Sequence, residues 1–176
     1  MSLESSTRLR RAAPVTELCI VVECHTFVGA IPVRYVTRLV LNEDVTPVPQ
    51  FGAEFVQSGG DLFVASNLGA LLELPALGSA WVLLHVPHAG GRVPIALQTG
   101  TCVAVREVCV EAPLPAGLFR ARGAAVLGAF VADASRGFGG STLYGLVLDL
   151  TKLWSRAELD ISARLIARHR QQKADG

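Results

Sequence analysis

The residues of this chain whose types could do chemistry are four histidines, four cysteines and a glycine-flanked serine. His85 and His88 stand three apart, but Val86 and Pro87 lie between them in an apolar run, so they do not share a helix face. A zinc site needs three or four ligands, and His25 and His169 could complete one only by way of remote loops. Each histidine therefore reads as a strand or turn residue. Ser141, in Gly139-Gly140-Ser141-Thr142-Leu143-Tyr144-Gly145, lacks the G-x-S-x-G spacing of a nucleophile elbow, and a glycine-rich hairpin accounts for it better. Cys19, Cys24, Cys102 and Cys109 form no C-x-x-C pair. They sit in β-rich apolar runs, where a free cysteine behaves as a small hydrophobe. No phosphate-cradling G-x-x-x-x-G-K-[ST] or G-x-G-x-x-G is present. These residues point to no catalytic centre, no metal and no cofactor.

The elements around them belong to a folded chain of 176 residues, 51% hydrophobic and 18% charged, too apolar for disorder. A net charge of +1 gives no electrostatic footprint for nucleic acid. Arg8, Arg10 and Arg11 could begin a signal peptide, but Pro14, Glu17 and Glu23 interrupt the apolar run that must follow. The apolar region from Ala70 to Val86 contains Glu73, Pro75 and His85, so direct membrane insertion is not expected. With no disulfide framework, a reducing, cytoplasmic setting is expected.

The central stretch from Asp44 to Pro75 organises the chain. Thr46-Pro47-Val48-Pro49 reads as a proline corner leaving one strand for the next connection. Phe55-Val56 and Leu62-Phe63-Val64-Ala65 flank Ser58-Gly59-Gly60-Asp61, the signature of a tight hairpin. Ser66-Asn67-Leu68 opens a short helical segment to Leu74. Upstream, Leu18 to Val22, Phe27 to Val33 and Tyr35 to Leu41 predict an antiparallel meander, with Asn42-Glu43-Asp44 as a polar turn. Downstream, Trp81 to Val86 and Val93 to Leu97 predict strands about the turn Pro87 to Gly91. Cys102 to Val110 predicts two short β runs, and Ala124 to Val131 and Leu143 to Leu148 flank a Gly/Ser-rich turn, Arg136 to Ser141.

Two segments repeat. Val45 to Pro49 matches Glu111 to Pro115, and Ser66 to Leu72 matches Leu148 to Trp154. A meander, a proline corner, a hairpin and an Asx-Leu stub thus occur twice, which predicts two related β-barrels. The expected organisation is a disordered tail over 1–13, a paired-barrel domain over 14–154 and a helix with its tail over 155–176. Ser155-Arg156-Ala157-Glu158 is a capping box. Leu159, Ala163, Ile166 and Arg170 follow at helical spacing with Leu165 beside them, so a helix runs from Ser155 to about Gln172. Arg164, Arg168, His169, Arg170 and Lys173 load its C-terminal turns with positive charge. The helix either packs on its own barrel with a solvated basic face, or binds a partner.

The central stretch and its repeat resemble the CheW-like family of chemotaxis coupling proteins, in order, from about Leu18 to Trp154. Val36-Thr37-Arg38-Leu39 occupies that family's "VxEI" segment, and Glu54 to Leu68 occupies its "GVxNLRGxxxPVxDL" hairpin. The resemblance implies a mainly β fold of two SH3-like five-stranded barrels with a C-terminal helix. It also implies a non-catalytic adaptor that couples a methyl-accepting chemoreceptor to the regulatory domain of a histidine kinase. Partner contacts would then fall at Arg38, Gln57, Gly59, Gly60, Asp61 and Asn67. The departures are specific. Arg38 stands for the family's glutamate, Gly59 for its arginine, Gln57 for an asparagine and Asn67 for an aspartate. Ile95 to Gly100 lacks the acid of "LLVDxV". The opposite-charge pair is missing, so an altered set of partners is expected, and loss of a surface pair need not harm the fold. The competing reading is a barrel that binds an apolar ligand, or a small enzyme, using a pocket between the halves and a histidine such as His85 or His88.

Overall fold

The computed structural model describes residues 16–25, 27–50, 53–110, 114, 125–132 and 143–174. The expected N-terminal tail and the Arg136 to Ser141 turn lie outside these residues, as does all but Leu114 of the second proline corner. Among these residues eleven strands and three α-helices follow one another: β1 (Thr16–Cys24), β2 (Phe27–Pro32), β3 (Val36–Leu41), β4 (Thr46–Gln50), β5 (Ala53–Ser58), β6 (Asp61–Asn67), α1 (Leu68–Leu71), β7 (Ala80–His88), β8 (Gly91–Thr99), β9 (Cys102–Cys109), β10 (Val126–Ala132), β11 (Leu143–Leu148), α2 (Leu150–Leu153) and α3 (Arg156–Ala174). The fold is mainly β, as expected. Cys102 to Cys109 forms one strand rather than two, and Pro87 and His88 extend β7 so that Ala89 and Gly90 alone make the turn.

The strands form two curled sheets, one ordered β10-β11-β2-β1-β9 and the other β3-β7-β8-β6-β5-β4. The expected meander is therefore split. β1 and β2 pair with each other, but β3 leaves them and pairs with β7 in the second sheet. The two sheets share one pattern. In each, a hairpin (β10–β11 or β5–β6) lies parallel to the last strand of a second hairpin (β1–β2 or β7–β8), through β11 with β2 or β6 with β8. The units are thus related by circular permutation: β3, β5, β6, β7 and β8 correspond to β9, β10, β11, β1 and β2. The hairpin and the Asx-capped stub recur in both units, but the chain enters the first sheet at its last hairpin and finishes it only after completing the second.

The sixth strand of the second sheet is β4, where a corner was expected. It pairs with β5 from Thr46↔Gln57 to Gln50↔Ala53 and forms the sheet's edge. Proline has no amide to donate, so Pro47 and Pro49 are compatible with an edge strand and blunt it against further pairing.

Alternation along the strands builds three cores. Cys19, Val21, Val28, Ala30, Val108, Phe130 and Val147 fill the first sheet. Val40, Val45, Val56, Phe63, Leu83 and Ala96 fill the second. The opposite faces of the same strands meet in a larger shared core. There Ile20, Val22, Ile31, Leu146 and Leu148 pack with Phe55, Leu62, Val82, Leu84, Ile95 and Leu97. Leu150, Leu153 and Trp154 of the α2 region join them, and Trp154 donates its indole N–H to Ser66 Oγ at 3.1 Å, tying the end of β6 to the start of the tail.

α3 starts as the sequence predicts. The Ser155 amide donates to Glu158 Oε2 at 2.6 Å and the Glu158 amide donates to Ser155 Oγ at 3.2 Å, a reciprocal capping box. Leu159 and Ile166 are buried in the shared core, with Ala163 and Leu165 against it. The helix packs on its own second sheet, at β6, β7 and β8. Among the described residues no helix is long and apolar enough to cross a membrane.

Candidate functional site

The β5–β6 hairpin is fixed by its register. Phe55 pairs with Val64, Val56 with Phe63, and Ser58 with Asp61, leaving Gly59 and Gly60 as a two-residue turn. Their φ angles of 60° and 90° are both positive, as a type I′ turn requires and glycine permits. The apolar pairs point to the two cores beneath, so the tip is held rigidly while its polar groups stay outside.

Arg38 reaches this tip from another strand. The β3–β7 pairing shifts register between Val36 and Arg38, which places Arg38 opposite Leu83. A Cβ built on Gly59 would lie 3.0 Å from Nη1 of Arg38 and 3.7 Å from its Cζ. Arg38 and Gly59, the two positions where the resemblance would have an opposite-charge pair, are thus neighbours in space although they are far apart in sequence. Among the described residues, no ion pair neutralises Arg38.

The other expected contact residues divide. Gln57, Gly60 and Asp61 line a groove of about 470 Å³ between the hairpin and the C-terminal turns of α3, facing His169, Arg170 and Lys173. Asn67 does not join them. Its Oδ1 accepts the Ala70 amide at 3.1 Å, capping α1, while its Nδ2 donates to the Leu77 carbonyl at 2.9 Å and to Gln98 Oε1 at 3.1 Å. An aspartate could cap the helix equally well but has no donor for Leu77. Asparagine here therefore serves the loop before β7. The matched stub uses the acid: Asp149 accepts the Thr151 amide at 3.0 Å and hydroxyl at 2.6 Å, with Lys152 Nζ 3.3 Å away. Burial alone would raise the Asp149 pKa, but these hydrogen bonds outweigh it and hold the carboxyl below its usual range.

The histidines have local partners. His25 sits at the β1–β2 turn with φ of 56°. His85 lies 2.9 Å through Nδ1 from Thr37 Oγ1 and stacks obliquely near Phe63. His88 forms a contact that sequence spacing could not reveal: its Nε2 lies 2.7 Å from Oδ1 of Asp160, pinning the β7–β8 turn to the first turns of α3. The hydrogen bond from His88 holds the Asp160 carboxyl below its ordinary range. Burial pushes the Cys19 and Cys24 thiols up to about 11, far from the thiolate state a nucleophile needs. Among the described residues no three His, Cys, Asp or Glu side chains cluster as metal ligands.

No family model and no curated protein sequence matches the chain. Among solved structures, the crystal structure of the scaffolding protein TtCheW from Thermoanaerobacter tengcongensis is similar to it, with a TM-score of 0.57 at 14% sequence identity. The match covers 82% of this chain and 92% of that one. The likeness establishes a CheW-like fold: two curled β sheets about a shared core.

Proposed function

We propose that this protein is a non-catalytic adaptor in a chemosensory signalling system, coupling a receptor to a histidine kinase or to an altered set of partners. The observation that carries the reading is the shared architecture, which spans nearly all of a scaffolding protein's chain. The contact positions Arg38, Gly59, Gly60 and Asp61, all exposed, and the half-buried Gln57 would then form one surface around the β5–β6 tip, a reading supported by the adjacency of Arg38 and Gly59. Small barrels serve such a role because rigid cores hold exposed tips and grooves at fixed separations. Among the described residues, side chains of the shared core pack between the two sheets, and the groove lined by Gln57 and Asp61 lies at α3 instead. A ligand pocket between the halves therefore gains no support.

The test is direct binding of the purified protein to the regulatory domain of a chemotaxis kinase and to a receptor tip, with capture from native cells to identify partners. Saturable binding to either target, weakened by Arg38→Glu, supports the reading. Turnover of a small-molecule substrate, with neither target bound, overturns it.

A further inference from the structure

The groove between the β5–β6 tip and α3 carries positive charge that no ion pair among the described residues compensates. From Arg164 to Lys173 the helix holds Arg164, Arg168, Arg170 and Lys173 and no carboxylate. The helix dipole favours cations, but its influence fades within the last turn, so it accounts for Arg170 and Lys173 better than for Arg164 and Arg168. Arg170 and Lys173 form one wall of the groove, with Asp61 opposite, yet among the described residues neither cation makes an ion pair. Beyond Gly59, on the other flank of the same turn, stands Arg38, also exposed and unpaired among those residues. Positive charge therefore stands both beside Gly59 and along the helix wall of the groove that Gly60 and Asp61 line.

We propose that this groove seats a carboxylate-rich segment of a protein partner. Its acids engage Arg170 and Lys173 on the helix wall and Arg38 past the turn, while Gln57 offers its amide to the segment's backbone. Asp61 supplies the one repulsive point, which sets the register of the acids that enter. A flat anionic membrane fits less well, because the groove is concave and places Asp61 among the cations. The proposal rests on the adaptor reading only in taking the partner to be a protein.

The probe is a fluorescein-labelled helical peptide of about 14 residues with glutamates along one face, and its glutamine counterpart, titrated with the full chain by anisotropy. The glutamate peptide should bind, the glutamine peptide should not, and added salt should weaken binding as it screens exposed charge. The pair Arg170→Glu and Lys173→Glu should weaken binding roughly tenfold or more, Arg38→Glu should weaken it less, and Arg156→Glu at the far end of α3 should leave it unchanged. All four positions are exposed, so equal urea midpoints will confirm that the fold is retained. Equal binding of the two peptides, or an unchanged affinity in the Arg170/Lys173 variant, overturns the proposal. Capture of anionic vesicles that is lost in the same variant, without peptide binding, reassigns the groove to lipid and also overturns it. If the peptide binds as described while kinase domain and receptor tip do not, the groove stands and the chemosensory assignment falls.

Discussion

Substitution at Gly59 separates backbone strain from side-chain contact at the hairpin tip. With φ of 60° at Gly59, any ordinary L-residue there must hold its Cβ in the left-handed region, at a cost of about 1–2 kcal/mol. Asparagine tolerates that region and should cost only a few tenths of a kcal/mol. The new Cβ would also meet Arg38 Nη1 at 3.0 Å. That atom ends a flexible, exposed side chain, so it can swing aside for less than about 1 kcal/mol. Gly59→Ala and Gly59→Arg should therefore each lower unfolding free energy by about 1–2 kcal/mol, and Gly59→Asn by under about 0.5 kcal/mol. In an Arg38→Ala background the alanine cost should fall by less than about 0.5 kcal/mol. Urea unfolding with an unchanged slope is the assay. If Gly59→Arg is as stable as the parent, or if Arg38→Ala abolishes the cost, the strain does not reside in the backbone and the argument fails. Restoring the opposite-charge pair that the resemblance implies is subject to the same geometry. Arg38→Glu with Gly59→Arg must carry the turn strain whatever it gains in binding.

Four further outcomes are expected. Gly145 pairs with Phe130, and a Cβ there would lie 2.1 Å from the buried ring, so Gly145→Ala should destabilise by about 1–3 kcal/mol in urea. Gly29→Ala, whose Cβ would find ordinary contacts from 3.5 Å outward, should be neutral or slightly stabilising. Asn67→Ala should lose about 2–3 kcal/mol, and Asn67→Asp should lose part of that, because only the amide both caps α1 and donates to Leu77. Asp160→Asn should loosen α3 at neutral pH, seen as faster amide exchange in its first turns. The Asp160 pKa is lowered in the folded state, so its contribution is complete above the ordinary carboxylate pKa of about 4 and is lost as pH falls through the lowered value. The difference between parent and variant should accordingly vanish in strong acid.

Local pattern carried much of this fold. The β5–β6 hairpin, the Asx-capped stubs and the capping box of α3 are written in short spacings that reflect backbone geometry, and each formed where those spacings place it. Pairing partners were less legible. β3 has the same alternation whether it follows β2 in one sheet or crosses to β7 in another, and only the shared core decides between them. Pro47 and Pro49 excluded an inner strand but not an edge strand, so the expected corner became β4. The adjacency of Arg38 and Gly59 entered through family resemblance, since nothing local joins two positions on different strands. The His88–Asp160 contact and the placement of Arg170 and Lys173 beside the hairpin depend on where α3 docks. Its apolar stripe announces burial without naming the surface that receives it.

The six positions that resemblance marks as contacts do not carry equal information about partners. Fold stability can restrain a residue only through what it touches inside the molecule. Asn67 is held by three internal hydrogen bonds, so its departure from aspartate is explained by the loop before β7 and says nothing about binding. Gly59 is held by its φ, yet asparagine would serve that angle nearly as well. Arg38 is exposed beside Gly59, and among the described residues no ion pair requires its charge. Because the cores on both faces of β5 and β6 fix the tip, a charge there can change sign without disturbing what holds it. No ion pair among the described residues therefore requires a cation at Arg38, and it has the same sign as Arg170 and Lys173 on the groove wall. On the proposal that this surface takes a negative partner, reversal of Arg38 alone should shift partner preference while changing the unfolding free energy by less than about 0.5 kcal/mol.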